Sequence, residues 1–191
     1  STGYSLAMKD LQLRGSGSIL GDIQSGFIAN VGLNIFNKYV IDSIEGKSED
    51  KRSILETEIK LDCYWGSSIP KSYIDADSER IDIYKRLEHS EPNKVNEIKN
   101  EIIDRFGNVP EITDNLFSTA KIRSILQTKE ILRCKIREFQ VELFPVDLTE
   151  DLKLSIEKYD KRFIFRNKRL VLNFQHSLTP ESTYELLDSI L

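Results

Sequence analysis

Two cysteines and two histidines are all the chain offers in thiolate and imidazole metal ligands. Cys63 and Cys134 stand 71 positions apart, so with His89 and His176 they form no zinc-binding spacing. Free cysteine is most often buried, and both are read here as reduced core residues of a cytoplasmic protein. No run of about 18 apolar residues exists, which excludes a transmembrane helix. The opening Ser1-Thr2-Gly3-Tyr4 lacks a basic segment followed by an apolar one, so no signal peptide and no membrane partner are expected. A strong positive charge is also missing: 27 Lys and Arg stand against 31 Asp and Glu, a net charge of −4. That excludes a wholly basic nucleic-acid-binding domain and leaves room for local basic patches. The common catalytic signatures are absent too. There is no Gly-x-x-x-x-Gly-Lys-Ser/Thr phosphate loop, no Gly-x-Ser-x-Gly elbow and no His-Glu-x-x-His pair.

What is present is a soluble, globular composition: 191 residues, 39% hydrophobic and 30% charged. That length suits one domain with a flanking piece. Residues 1–46 are the flanking piece. They contain Gly3, Gly15, Gly17, Gly21, Gly26 and Gly32, with Gly46 at the edge, and their few charges nearly cancel. Leu6–Leu13 reads as a short helix, and Leu33–Ile44 carries apolar residues at helical spacing. Residues 47–53 are wholly polar and read as a linker.

Residues 54–191 alternate strand and helix patterns. A half-buried strand is predicted over Thr57–Cys63, and helices over Asp77–Leu87 with Asp77 as cap, from Pro92 to Gly107, and from Pro110 through Leu126. One or two strands follow between Ile131 and Phe144, with a break near Glu138. Thr149 caps a helix running to Tyr159. Strands at Arg162–Phe165 and Arg169–Phe174 flank an Asn167-Lys168 turn, and Thr179-Pro180 opens a last helix. The expected fold class is α+β: a small mixed or antiparallel sheet with packed helices, preceded by a helical hairpin and glycine-rich loop.

Several residues invite a functional reading. His89 and His176 sit at element ends among polar neighbours, as solvated surface histidines do. Asp75, Asp77, Glu79 and Asp82 can be drawn as a metal cluster, but helix capping and solvated charge account better for them. Arg80, Lys85 and Arg86 lie on a helix with Ile81, Tyr84 and Leu87. They are either a DNA or partner contact or, the favoured reading, the solvated side of a packing helix. In Asp104-Arg105-Phe106-Gly107, Phe106 packs, Gly107 takes a positive φ and Arg105 pairs with a carboxylate. Trp65 anchors the core or its rim, unless it is an exposed partner contact. The segment Arg14–Gly26 is distinctive. Gly15, Gly17, Gly21 and Gly26 let the backbone pass close to other groups, and Arg14 and Gln24 flank them with long hydrogen-bonding side chains. It reads either as a glycine-rich connector or as a loop that transmits movement between surfaces.

This last run resembles a known motif. Gly3-Tyr-Ser-Leu-Ala-Met-Lys-Asp-Leu-Gln-Leu-Arg-Gly-Ser-Gly-Ser-Ile-Leu-Gly-Asp-Ile-Gln-Ser-Gly26 is similar to the segment after the second helicase lobe in bacterial transcription-repair coupling factors and in the RecG branch-migration helicase. Ile69-Pro70-x-x-Tyr73-Ile74, Arg80-Ile-x-Ile-Tyr84-Lys85-Arg86-Leu87 and Glu101-Ile-Ile-Asp104-Arg105-Phe106-Gly107-x-Val-Pro110 resemble the C-terminal domain of the coupling factors and not RecG. The likeness spans about residues 3–126. The resemblance implies a parent protein that is a superfamily 2 ATP-dependent translocase on double-stranded DNA, which removes stalled RNA polymerase and recruits the excision-repair protein UvrA. It implies that 1–46 is a translocation motif, with Arg14 and Gln24 coupling ATP hydrolysis to stepping and Gly15, Gly17, Gly21 and Gly26 giving the loop its path. It implies that 54–191 is a regulatory domain packing on the parent's own UvrB-like N-terminal module and masking its UvrA-binding surface. ATP and Mg would belong to the parent motor. This fragment would be no enzyme and would hold no cofactor or metal. A free-standing protein-binding module without a motor is the alternative.

Overall fold

The computed structural model describes residues 59–191. The predicted helices and glycine loop of 1–46, and the linker at 47–53, lie outside the described residues. Ten elements follow one another: β1 (Lys60–Cys63), α1 (Asp77–Glu88), α2 (Pro92–Phe106), α3 (Glu111–Thr128), β2 (Arg133–Arg137), β3 (Gln140–Phe144), α4 (Glu150–Glu157), β4 (Ile164–Arg166), β5 (Arg169–Asn173) and α5 (Pro180–Ile190). The strands form one mixed five-stranded sheet in the order β1-β2-β3-β5-β4. Its single parallel pair joins β1 to β2, with Leu61 opposite Cys134, and the three-helix excursion α1–α3 makes that crossover. The remaining pairs are antiparallel. The expected α+β class is therefore correct.

Punctuation residues set most boundaries. Pro92 opens α2, where a missing N–H costs nothing. Gly107 ends it at φ 88° and ψ −165°, a conformation essentially reserved for glycine. The Thr149 hydroxyl accepts the Leu152 N–H, and Thr179 with Ser182 closes a full capping box. Asn167 and Lys168 both take positive φ, 52° and 64°, which gives the tight β4–β5 turn the twist its strands need. Some boundaries differ from the sequence reading. Ala76, not Asp77, is the cap of α1, because the Asp77 carboxylate is drawn to Arg80 instead of the helix N–H groups. Pro110 caps α3 from outside, and α4 stops at Glu157, two residues short of Tyr159. The described part of the first strand begins at Lys60.

Apolar residues fill two adjoining clusters. One lies under the sheet, where Leu61, Ile136, Val141, Leu143, Leu170 and Leu172 meet Ile122, Leu126, Ile156, Leu187 and Ile190 of the helices. The other gathers Ile69, Ile74, Tyr84, Leu87, Val95, Ile98 and Ile102 with Leu116, Phe117 and Ala120. Helix α3 belongs to both: its first half serves the helical cluster and its second half the sheet. The helices lie on one side of the sheet, and alternation along β1, β2 and β3 turns mostly polar residues to the other side, where Phe144, Ile164 and Val171 also lie.

Candidate functional site

Arg14, Gln24, Gly15, Gly17, Gly21 and Gly26, the residues expected to couple ATP to movement, lie outside the described residues. The motif residues of the second half are described, and the structure shows where their chemistry goes. Arg80 is only 1% exposed. Its Nη1 donates to the carbonyls of Ile74 at 2.6 Å and Asp75 at 2.8 Å, and its Nη2 pairs with the Asp77 carboxylate. It is no part of a basic surface. The guanidinium fork binds the loop before α1 onto the helix. Arg86 is paired with Glu101 of α2, and that hydrogen bond holds the Glu101 carboxyl below the usual carboxylate range. Of the three basic residues on α1, Lys85 alone is exposed without such an engagement among the described residues. The helix is a packing helix, as favoured from its pattern.

Tyr84 is fully buried, and its hydroxyl receives the backbone N–H of Ile69 at 2.8 Å. Tyr73 donates to the Gly107 carbonyl at 2.8 Å and stacks edge-on against Phe106, with ring centres 6.2 Å apart. Arg105 lies 4.7 Å above the Phe106 ring and pairs with Glu79 at 2.9 Å. So the runs Ile69–Ile74, Arg80–Leu87 and Asp104–Gly107 converge on one helical corner and hold it together.

The remaining candidates resolve in the same way. Trp65 is 7% exposed and donates its indole N–H to Thr119 Oγ1 at 2.9 Å, which makes it a core anchor. Asp77 and Glu79 are engaged by Arg80 and Arg105, and among the described residues no cluster of three His, Cys, Asp or Glu is placed to hold a metal. His89 projects into solvent, and His176 is exposed against Phe174. Cys63 and Cys134 are buried beneath the sheet, and desolvation drives both thiol pKa values well above the ordinary 9.0.

One surface escaped the sequence reading. The outer face of the sheet is a shallow concavity, and the strand register assembles it from residues up to 111 positions apart. One row crosses the sheet as Asp62, Lys135, Glu142, Val171 and Ile164. Beside it run Lys60, Arg133 and Phe144, continued by Arg169 and Arg166. No single stretch of sequence shows this grouping, since each strand contributes only two or three of the residues.

Together these observations define a two-layered α+β domain whose motif residues serve its own architecture. Residues 65–158 match the family model described as the TRCF domain. The chain is similar to the transcription-repair-coupling factor of Bacillus subtilis strain 168, at 33% identity over 147 residues, covering 72% of this chain and 12% of that protein. It is also similar to that of Buchnera aphidicola, at 38% over 128 residues, covering 64% and 16%, and to that of Staphylococcus epidermidis, at 31% over 159 residues, covering 79% and 13%. A crystal structure of the C-terminal domain of a transcription-repair coupling factor superposes with a TM-score of 0.57 at 19% identity, over 70% of this chain and 91% of that one, which shows the same fold. The chain belongs to the transcription-repair coupling factor family and carries its C-terminal TRCF domain. It spans only about an eighth of the length of the first of these relatives.

Proposed function

We propose that this chain works as the C-terminal portion of a longer, cytoplasmic coupling factor. In that setting residues 1–46 couple ATP-driven motion of the motor to stepping on double-stranded DNA, through Arg14, Gln24 and the glycines between and beside them. Residues 54–191 dock on a UvrB-like module of the same protein and mask its UvrA-binding surface until polymerase and DNA are engaged. ATP and Mg act in the motor, upstream of this portion. The observation that carries the reading is the TRCF-domain match over residues 65–158, on a chain an eighth the length of its relative. The described fold supports it: the motif residues hold a self-contained corner and form no catalytic constellation among themselves. A rigid module of this kind acts by docking and undocking. A masking contact worth a few kcal/mol keeps the open state at a few per cent or less, and a partner with differential affinity shifts that balance.

The test uses the full-length parent. Deleting residues 47–191 is expected to raise its affinity for UvrA, and unchanged affinity overturns the masking role. Arg14→Ala is expected to keep ATP hydrolysis and lose polymerase displacement; normal displacement removes the coupling role.

A further inference from the structure

The outer sheet face concentrates charge that the chain as a whole does not have. It carries Lys60, Arg133, Lys135, Arg137, Arg166 and Arg169, against only Asp62 and Glu142, in a protein of net charge −4. Both carboxylates are already used: Asp62 pairs with Arg137 at 2.8 Å and Glu142 with Arg169. Lys60, Arg133, Lys135 and Arg166 have no ion-pair partner among the described residues. Like charges left together on a solvated surface repel one another, so the grouping destabilises the free domain slightly and is relieved by an anion.

The geometry points to the phosphodiester backbone of double-helical DNA as the occupant of this face. Strands about 4.8 Å apart place β1 and β4 about 19 Å from each other, close to the width of a duplex. Lys60 and Arg133 stand at one side of that span and Arg166 at the other. The surface between them is concave, as a cylinder requires. A single strand would call for exposed aromatic rings on which bases stack. Among the described residues the two cationic rows hold one ring, Phe144, half-buried and engaged by the Arg133 guanidinium at 5.9 Å from its ring centre. The cations without an ion-pair partner are placed to contact phosphates, the contacts that position a protein on a duplex. This inference is independent of the masking role, which concerns a protein contact and a different measurement.

The test is a fluorescence-anisotropy titration of the 191-residue chain with a labelled duplex of roughly 20 base pairs, two turns long. Binding is expected in the range of about 10⁻⁴ to 10⁻⁶ M at physiological salt, tightening as salt is lowered. The triple variant Lys60→Ala, Arg133→Ala, Arg166→Ala is expected to lose at least tenfold at low salt. Its log–log salt slope should shrink by about three, one for each phosphate contact removed. A control with the same charge change on the helices, Lys94→Ala, Lys153→Ala, Lys158→Ala, is expected to lose less than twofold. Lys135→Glu at the centre of the face gives a second reading, with at least a threefold loss, should the triple variant fail to fold by circular dichroism. The proposal is overturned if the duplex does not bind at low salt, or if the face variants lose no more than the control. It is overturned equally if a single strand or poly-glutamate binds more tightly than the duplex, which would reassign the face to those partners.

Discussion

The Tyr73 hydroxyl donates to the carbonyl of Gly107 at 2.8 Å, tying the loop that enters α1 to the residue that ends α2. That carbonyl is held in place by the unusual backbone of Gly107, φ 88° and ψ −165°. No atom lies within 4 Å of where a Cβ would sit, so any penalty for a side chain there comes from the backbone alone. Gly107→Ala is expected to destabilise by about 1–3 kcal/mol, and Tyr73→Phe by about 0.5–1.5 kcal/mol. Urea denaturation measures both, and an unchanged midpoint for Gly107→Ala would show that the turn relaxes freely.

Arg80 offers a sharper test of how the corner is held. Arg80→Met keeps much of the volume but strands the buried Ile74 carbonyl, the partly buried Asp75 carbonyl and the Asp77 carboxylate. A loss of about 3 kcal/mol is expected. Arg80→Lys should recover less than half, since an ammonium cannot span the fork of acceptors. Equal stability of the lysine variant and the parent would mean that charge alone, without geometry, is what matters there.

The β4–β5 turn is expected to accept improvement. Lys168 sits at φ 64° with a side chain that disfavours it. Replacing it by glycine gives the Asn-Gly pair that such turns prefer, and should stabilise by about 1 kcal/mol. The backbone bond from Val146 N–H to the residue 168 carbonyl is untouched by this change, while the exposed pair with Asp147 at 3.4 Å is lost. Thermal melting reads the balance, and a lower midpoint would show that this surface pair outweighs the turn.

Burial of the thiols predicts a pH dependence. Because folding raises the pKa of Cys63 and Cys134, chiefly by desolvation, the folded chain resists losing their protons while the unfolded chain does not. Their contribution is fully present below the ordinary thiol value and declines as pH rises above it. Stability should therefore fall above about pH 9, less steeply in a Cys63→Ala, Cys134→Ala variant. Ellman's reagent should find neither thiol until the protein is denatured. Rapid labelling of the native chain would contradict the burial of both.

Sequence pattern located the elements well where a punctuating residue acts locally. Pro92, Gly107, Thr149, Asn167-Lys168 and Thr179-Pro180 each announce a boundary through their own backbone chemistry, within a residue or two of where it falls. Pattern failed where the partner is distant. Arg80 looked like a surface base because the carbonyls that capture it belong to an irregular loop with no periodicity to read. Trp65 and Tyr84 were legible as packing residues, but not their partners, Thr119 Oγ1 and the N–H of Ile69, 54 and 15 positions away. The outer sheet face was invisible for a related reason. Its cations are spread over four of the five strands, and only the register, including a parallel pair that no local signal announces, makes them neighbours.

Helix α3 has a thermodynamic consequence. Because its two halves are walls of different apolar clusters, neither cluster can come apart without stripping one side of the same helix. Two cores joined by a flexible connection would melt in two steps. Two cores sharing a continuous 18-residue helix should melt in one, with the van't Hoff and calorimetric enthalpies of that transition in agreement. A partner that stabilises the helical corner therefore stabilises the sheet with it, because both are lost in the same transition.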